Sequence, residues 1–164
     1  MRIDIRPAAL SDVEGMSRVL DKCWKENYTN IFSPAQIERY TGEYRRRSFT
    51  KLLVDGRYIY VLLVDGEISA VCACEFCEEK PFEASAKILM LYVLPEMQRK
   101  GHGKKLLMYV LREMRKKGSK SAVLETAETN VGARKFYEKF GFSEQKFAAR
   151  NYDGVDYVTY KIDF

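Results

Sequence analysis

The sequence lacks any long hydrophobic run. No apolar stretch approaches the roughly 18 residues that a membrane-spanning helix needs, so no transmembrane segment is predicted. The first residues, MRIDIRP, are charged and lack the apolar core of a secretory signal peptide. We therefore expect a cytoplasmic protein with no membrane partner, whose four cysteines, Cys23, Cys72, Cys74 and Cys77, are reduced thiols.

Histidine and paired cysteines are scarce, which bears on metal binding. Cys72, Cys74 and Cys77 form a C-x-C-x-x-C pattern, but a zinc site needs a fourth ligand, and the sequence has no second cysteine pair. We expect no metal and interpret these cysteines as small buried side chains. Any histidine-centred mechanism must use His102, the single histidine of the chain.

Internal repeats, linkers and low-complexity segments are absent. The 164 residues are 46% hydrophobic and 13% aromatic, a globular composition with enough chain for a sizeable core. We therefore expect a single domain spanning residues 1–164. The net charge of +5 favours anionic partners, although a solvated basic face needs none. No nucleic-acid partner is expected, because interleaved exposed aromatics and helix-turn-helix or RNA-binding signatures are missing.

Hydrophobic periodicity and turn residues predict the secondary structure. The first half is predicted to hold a strand at 2–6, a helix begun by a Ser11 and Glu14 capping box, a helix begun by Ser33-Pro34, a helix at 45–54, and two strands joined by an Asp65-Gly66 hairpin turn. The second half is predicted to hold a strand at 87–94 buried on both faces, a helix ending at Gly118, a strand at 122–126, a helix from Asn130 to Gly141, and the strands FSEQKFAARN and VDYVTYKIDF. This order predicts an α/β fold with a single mixed, mostly antiparallel sheet and helices on both faces.

A basic loop, QRKGHGKKL, separates the apolar strand 87–94 from the next helix. The amides at a helix N-terminus form an anion site, and Gly101 and Gly103 remove side chains that would block it. Lys104 and Lys105 are unfavourable at this end of a helix unless an anion binds there. A P-loop and a dinucleotide fingerprint are both excluded, because Gln98, Lys105 and Leu106 occupy positions that those motifs reserve for other residues. An ordinary tight turn between a strand and a helix remains the alternative.

The segments LYVLPEMQRKGHGKKLL and LETAETNVGARKFYEKFGF together resemble the GCN5-related N-acetyltransferase (GNAT) superfamily. Gln98, Gly101 and Gly103 match its Gln/Arg-x-x-Gly-x-Gly/Ala signature. A second signature is matched downstream by Asn130, Ala133, Tyr137 and Gly141-Phe142. The predicted order of elements agrees with that fold over nearly the whole chain.

The resemblance implies an acetyl-CoA-dependent N-acetyltransferase that moves an acetyl group directly to a primary amine in a ternary complex. The amine belongs to a small molecule, a polyamine, or a protein N-terminus or lysine, and a homodimer is compatible with the family. A non-catalytic CoA-binding sensor or partner-binding member of the same fold is the alternative. The implied cofactor-binding residues are Leu91, Tyr92, Val93, Gln98, Arg99, Lys100, Gly101, His102, Gly103, Lys104, Asn130 and Tyr137. The place of His102 in this loop argues against a catalytic role.

Two residues are the implied catalysts. Tyr137 matches the general acid of the family, and a phenol is protonated at neutral pH, so it can protonate a leaving thiolate. The alternative is that Tyr137 belongs to an aromatic core stripe with Phe136 and Phe140. Glu125 matches a base used in one branch of the family and interrupts an apolar strand, where a carboxylate is costly without a cleft or a partner. The alternative roles are a Glu125–lysine ion pair, and a base supplied by water or by Glu75, Glu78 or Glu128.

The acceptor amine is not specified by any motif. Trp24 to Tyr40 correspond to the variable helices that line the acceptor cleft in the superfamily. The aromatic residues of this segment (Trp24, Tyr28, Phe32 and Tyr40) either wall a pocket or pack together. Glu38 and Glu43 are suited to a polyamine or a lysine, whereas the basic surface is suited to an acidic acceptor.

Overall fold

A computed structural model describes residues 1–164 as eight strands, five α-helices and short 3₁₀ turns. The elements are β1 (Ile3–Pro7), α1 (Val13–Asn27), α2 (Pro34–Tyr40), α3 (Glu43–Val54), β2 (Tyr58–Val64), β3 (Glu67–Phe76), β4 (Ala86–Val93), α4 (His102–Lys116), β5 (Ser121–Ala127), α5 (Val131–Phe140), β6 (Ser143–Glu144), β7 (Arg150–Tyr152) and β8 (Val155–Asp163). No helix is both long enough and apolar enough to span a membrane.

The strands form one sheet in the order β1-β2-β3-β4-β5-β8-β6, with β7 also paired to β8. β4 and β5 are parallel, with Ala86 opposite Ala122 and Ile88 opposite Leu124. The pairs β1–β2, β2–β3, β5–β8, β6–β8 and β7–β8 are antiparallel. The predicted single mixed, mostly antiparallel sheet is therefore confirmed.

Local turn and capping signals account for several element boundaries. Asp65 and Gly66 have φ angles of 49° and 87°, the positive pair that a two-residue hairpin requires. At α2, the Ser33 hydroxyl accepts a bond from the Gln36 amide, and the Gln36 side chain accepts one from the Ser33 amide. Asn130 caps α5 by accepting a bond from the Ala133 amide at 3.2 Å, and Gly141 ends that helix with φ 122°. These predicted boundaries are confirmed.

The predicted capping box at Ser11 is wrong. A 3₁₀ turn, Leu10–Asp12, precedes α1, and the Asp12 carboxylate accepts a 2.8 Å bond from the Ala9 amide. Asp12 also accepts two bonds from the Arg6 guanidinium, at 2.7 and 3.0 Å. This hydrogen-bonded pair lowers the pKa of Asp12 below its ordinary value. The Asp12 carboxylate therefore binds groups that precede α1, and no side-chain hydrogen bond caps α1 itself.

Two strand predictions are also wrong in part. β4 is buried only at Ala86 and Ile88, and Leu89 to Val93 are half-buried rather than covered on both faces. The segment FSEQKFAARN forms β6 and β7 with a 3₁₀ turn, Lys146–Ala148, between them. That turn is held by Thr159, whose carbonyl accepts a bond from the Gln145 amide and whose hydroxyl donates to the Ala148 carbonyl.

The chain divides into two compact units. The first comprises Met1–Cys74 and Met90–Val110, and the second comprises Glu75–Leu89 and Leu111–Phe164. Fully buried side chains in the first unit include Met16, Val19 and Leu20 of α1, Phe49 of α3, and Leu106 and Leu107 of α4. In the second unit Tyr160 is fully buried, and Cys77, Phe82 and Val123 form a small apolar cluster. All four cysteines are free and buried, which confirms the predicted burial of Cys72, Cys74 and Cys77.

Candidate functional site

The basic segment QRKGHGKKL, residues 98–106 and called the glycine loop from here on, runs into the first turn of α4 in the first unit. Gly101 has φ +83°, a conformation that side chains disfavour, and a Cβ built there meets no atom within 4 Å. Its carbonyl accepts the first helical bond, from the Lys105 amide at 3.0 Å. The amides of His102, Gly103 and Lys104 therefore have no acceptor within the helix. Gly101 is needed for its backbone conformation, and the open space beside it suits a ligand anion.

Exposed cations surround these amides. Arg99, Lys100, Lys104 and Lys105 are all exposed, and Arg99 has a positive φ of 61°. A group with two negative phosphates would find both free amides and positive side chains here. The residues present therefore fit the diphosphate of a CoA molecule.

His102 does not present its side chain to this loop surface. It is 1% exposed, and neither ring nitrogen has a hydrogen-bond partner. Burial lowers the pKa of His102, and the nearby Lys105 and Lys100 lower it further. Any contact of His102 with a ligand anion is therefore limited to its backbone amide.

The end of β4 is tied to its surroundings through one carbonyl. Val93 accepts a bond from the Gln98 side chain and another from the Cys23 thiol, each at 3.0 Å. Burial raises the pKa of Cys23 to about 12, so the thiol keeps the proton that it donates. Gln98, a residue of the first signature, therefore links the glycine loop to the strand before it.

The aromatic residues of α1 and the following segment pack together and also reach a cavity. Trp24 stacks on Phe32 with ring centroids 4.4 Å apart, and its Nε1 donates to the Tyr92 hydroxyl at 3.2 Å. Phe32 then lines a cavity of about 390 Å³, together with Lys25, Thr29, Pro34, Ile37, Glu38 and Thr41. The aromatic residues of this segment therefore pack together, and of them Phe32 lines this cavity.

Arg45 is a feature that sequence reasoning missed. It is 7% exposed, and its guanidinium carbon lies 5.3 Å from the centre of the Trp24 ring and 5.8 Å from that of Tyr44. Its Nε and Nη2 atoms have no hydrogen-bond partner, and burial lowers the pKa of Arg45. The triplet Arg45-Arg46-Arg47 indicates only a basic surface, and no local pattern marks its first member as buried.

Tyr137 lies in an aromatic environment in the second unit. It is 8% exposed, and its ring makes edge contacts with Phe136 at 5.2 Å and with Phe142 at 5.6 Å. The Tyr160 ring lies 6.4 Å away. The aromatic stripe proposed as the alternative to an acid therefore exists, and it holds the Tyr137 ring in a defined orientation.

Glu125 forms its ion pair with an arginine rather than with a lysine. The Arg150 Nε atom lies 3.8 Å from Glu125 Oε1, and the Glu125 side chain is 19% exposed. Both residues line a small cavity of about 10 Å³, room for about one water molecule. Among the competing carboxylates, Glu78 and Glu128 are exposed and Glu75 is half-buried. No group of three or more histidine, cysteine, aspartate or glutamate side chains is placed to hold a metal.

The predicted site residues divide between the two units. Leu91, Tyr92, Val93 and Gln98 to Lys104 belong to the first unit, and Glu125, Asn130 and Tyr137 belong to the second.

Comparison with known proteins identifies a family. A sequence model of the Acetyltransferase (GNAT) family matches residues 19–142. A spermidine N(1)-acetyltransferase from Thermoplasma acidophilum is 30% identical over 162 residues, which cover 98% of each chain. The crystal structure of the PaiA N-acetyltransferase of T. acidophilum in complex with coenzyme A matches with a TM-score of 0.84 and 25% identity, covering both chains fully. The ribosomal-protein-S18-alanine N-acetyltransferase of Escherichia coli shares the fold, with a TM-score of 0.74, 18% identity, and coverage of 99% of this chain and 94% of that one.

Proposed function

This chain belongs to the GNAT acetyltransferase family and is an acetyl-CoA-dependent N-acetyltransferase, and we propose a site, a mechanism and an acceptor class for it. The observation that carries the proposal is the glycine loop, where free helix amides and exposed cations coincide. Free buried thiols also favour a reducing, cytoplasmic location.

The glycine loop holds the CoA diphosphate in this proposal. The backbone amides from Arg99 to Lys104 bind the phosphates, and the side chains of Arg99, Lys100 and Lys104 supply countercharge. Main-chain groups of Leu91, Tyr92 and Val93 hold the pantetheine arm, and Asn130 and Tyr137 complete the cofactor contacts. Bound acetyl-CoA supplies an acetyl group activated as a thioester.

The nitrogen of the acceptor forms a bond to the acetyl carbon, and the bond from that carbon to sulfur breaks. An amine attacks only when it is neutral, so Glu125 takes a first proton from the acceptor ammonium. Tyr137 gives its phenolic proton to the departing thiolate, and the tyrosinate recovers the second proton that the nitrogen loses on becoming a neutral amide; the packed ring of Tyr137 fixes the direction of its hydroxyl. No covalent enzyme intermediate is needed, because donor and acceptor are held together.

We propose that the acceptor is a polyamine. The full-length similarity to a spermidine N(1)-acetyltransferase supports this class. The cavity of about 390 Å³ combines the apolar Phe32, Pro34 and Ile37 with the carboxylate of Glu38, and Lys25 is the one cation in its lining. A polyamine alternates methylene groups with ammonium groups, so it can contact both kinds of wall.

The test measures thiol release from acetyl-CoA with spermidine and with butylamine, a primary amine that has no second ammonium group. We expect turnover with both amines and a lower KM for spermidine. Glu38→Gln should raise the KM for spermidine and leave that for butylamine unchanged. Tight CoA binding without thiol release for any amine would favour the non-catalytic sensor instead.

A further inference from the structure

Arg150, the first residue of β7, is held by three neighbours in the second unit. Its Nη2 donates to the Glu79 carboxylate, and its Nη1 donates to the Tyr152 hydroxyl at 3.1 Å. Its third nitrogen, Nε, lies 3.8 Å from Glu125 Oε1. Glu79 and Tyr152 thus fix a guanidinium whose third edge faces Glu125.

Arg150 forms ion pairs with two carboxylates, Glu79 and Glu125. The bond to Glu79 raises the pKa of Arg150 above its ordinary value. Arg150 in turn lowers the pKa of Glu79, with a further contribution from Lys87. Lys87, Thr159 and Cys77 line the same cavity as Glu125. Glu79 therefore holds Arg150 by an ion pair, and Arg150 in turn forms an ion pair with Glu125.

The backbone alone does not orient the Glu125 carboxylate. β5 fixes the main chain of Glu125 opposite Thr159, but three side-chain torsions separate that backbone from the carboxylate. A catalytic group displaced by about 1 Å costs on the order of 10²-fold in rate. Arg150, which Glu79 holds by a hydrogen bond, restricts those torsions through its ion pair with Glu125.

We propose that Arg150 is a positioning residue that holds the Glu125 carboxylate in the orientation needed to accept the acceptor's proton. The inference rests on the proposed role of Glu125 as the base. Glu79 contributes indirectly, because it holds the Arg150 guanidinium in place. A purely structural role, in which Arg150 only ties β7 to the segment containing Glu79, makes a different prediction.

The experiment is a double-mutant cycle on turnover with acetyl-CoA and spermidine. Arg150→Gln and Glu79→Gln are each measured in the unchanged chain and in the Glu125→Gln chain. We expect Arg150→Gln to lower kcat by about tenfold with an unchanged KM for acetyl-CoA, and Arg150→Lys to restore part of the loss. In the Glu125→Gln chain, Arg150→Gln should have no further effect, because it acts through the residue already removed.

Each result decides the question. An equal loss of kcat in both chains would overturn the positioning role, because a structural contribution is independent of Glu125. No loss in the unchanged chain would overturn it as well. Normal turnover of Glu125→Gln alone would refute the proposed base and the inference built on it. Glu79→Gln keeps the test decisive if Arg150→Gln does not fold, and Arg47→Gln, on an arginine whose side chain is 80% exposed, controls for loss of positive charge.

Discussion

The Tyr137→Phe variant distinguishes two roles of Tyr137, a catalytic general acid and an aromatic residue that only packs in the core. The substitution removes one oxygen and keeps the ring, so the edge contacts with Phe136 and Phe142 should survive. A lost structural hydrogen bond costs about 0.5–1.5 kcal/mol. In a chain of this length, that corresponds to a fall in Tm of roughly 1–6 °C.

The expected loss of turnover is much larger than the loss of stability. General acid catalysis contributes about 10²–10⁴-fold, equivalent to about 2.7–5.4 kcal/mol in the barrier. We therefore expect kcat of Tyr137→Phe to fall at least about 100-fold, with little change in the KM for acetyl-CoA. An acyl donor with a more acidic thiol should reduce the deficit, because its leaving group needs less protonation.

Tyr160 provides a matched control in the same aromatic group. Its hydroxyl donates to Glu138 at 2.7 Å and accepts from Arg134 at 3.0 Å. Tyr160→Phe should therefore lower Tm, while the folded protein keeps near-normal turnover. Steady-state kinetics and thermal denaturation of both variants give the comparison. A change of less than about threefold in kcat for Tyr137→Phe, with intact CoA binding, would refute the acid role.

Two further perturbations test the loop and the fold. Gly103→Glu places a carboxylate at the anion site and should abolish the stabilisation by CoA, which is about 2.7 kcal/mol at a hundredfold excess over Kd. Met108→Glu, on an exposed residue of the same helix, should retain that stabilisation. A normal CoA-induced increase in Tm for Gly103→Glu would contradict the loop assignment. Asp12→Asn should lower the free energy of unfolding at pH 7 by about 1–2 kcal/mol, because it removes the charge that Arg6 and the Ala9 amide bind. Folding lowers the pKa of Asp12, so its contribution to the free energy of unfolding is present above the unfolded pKa of about 3.9 and is lost as pH falls below that value. Denaturant titrations should therefore give the same free energy of unfolding for the two proteins at low pH. A constant difference at all pH values would point to packing instead.

Turns and helix ends could be predicted from the sequence where they depend on a few neighbouring residues. The Asp65-Gly66 turn, the Ser33 and Asn130 caps and the glycine stop at Gly141 each depend on contacts within one turn. The glycine loop is of the same kind, because positive φ and free amides follow from the residues of the loop itself. These local features also determined the order of elements and hence the mixed sheet.

Features that depend on distant partners were not readable. Asp12 binds Arg6 in place of the predicted Ser11 capping box, and the ion-pair partner of Glu125 is an arginine 25 residues later. Arg150 is clamped by Glu79, which lies 71 residues earlier in the chain. The burial of Arg45 against Trp24 likewise depends on the packing of two helices. Periodicity and spacing carry no information about such pairs, because only the tertiary fold brings them together.

A crystal structure of the chain with bound CoA tests the central claim most directly. The account predicts the diphosphate at the glycine loop, with phosphate oxygens about 2.7–3.2 Å from the amides of His102, Gly103 and Lys104. CoA bound elsewhere, or a diphosphate making no contact with these amides, would contradict it.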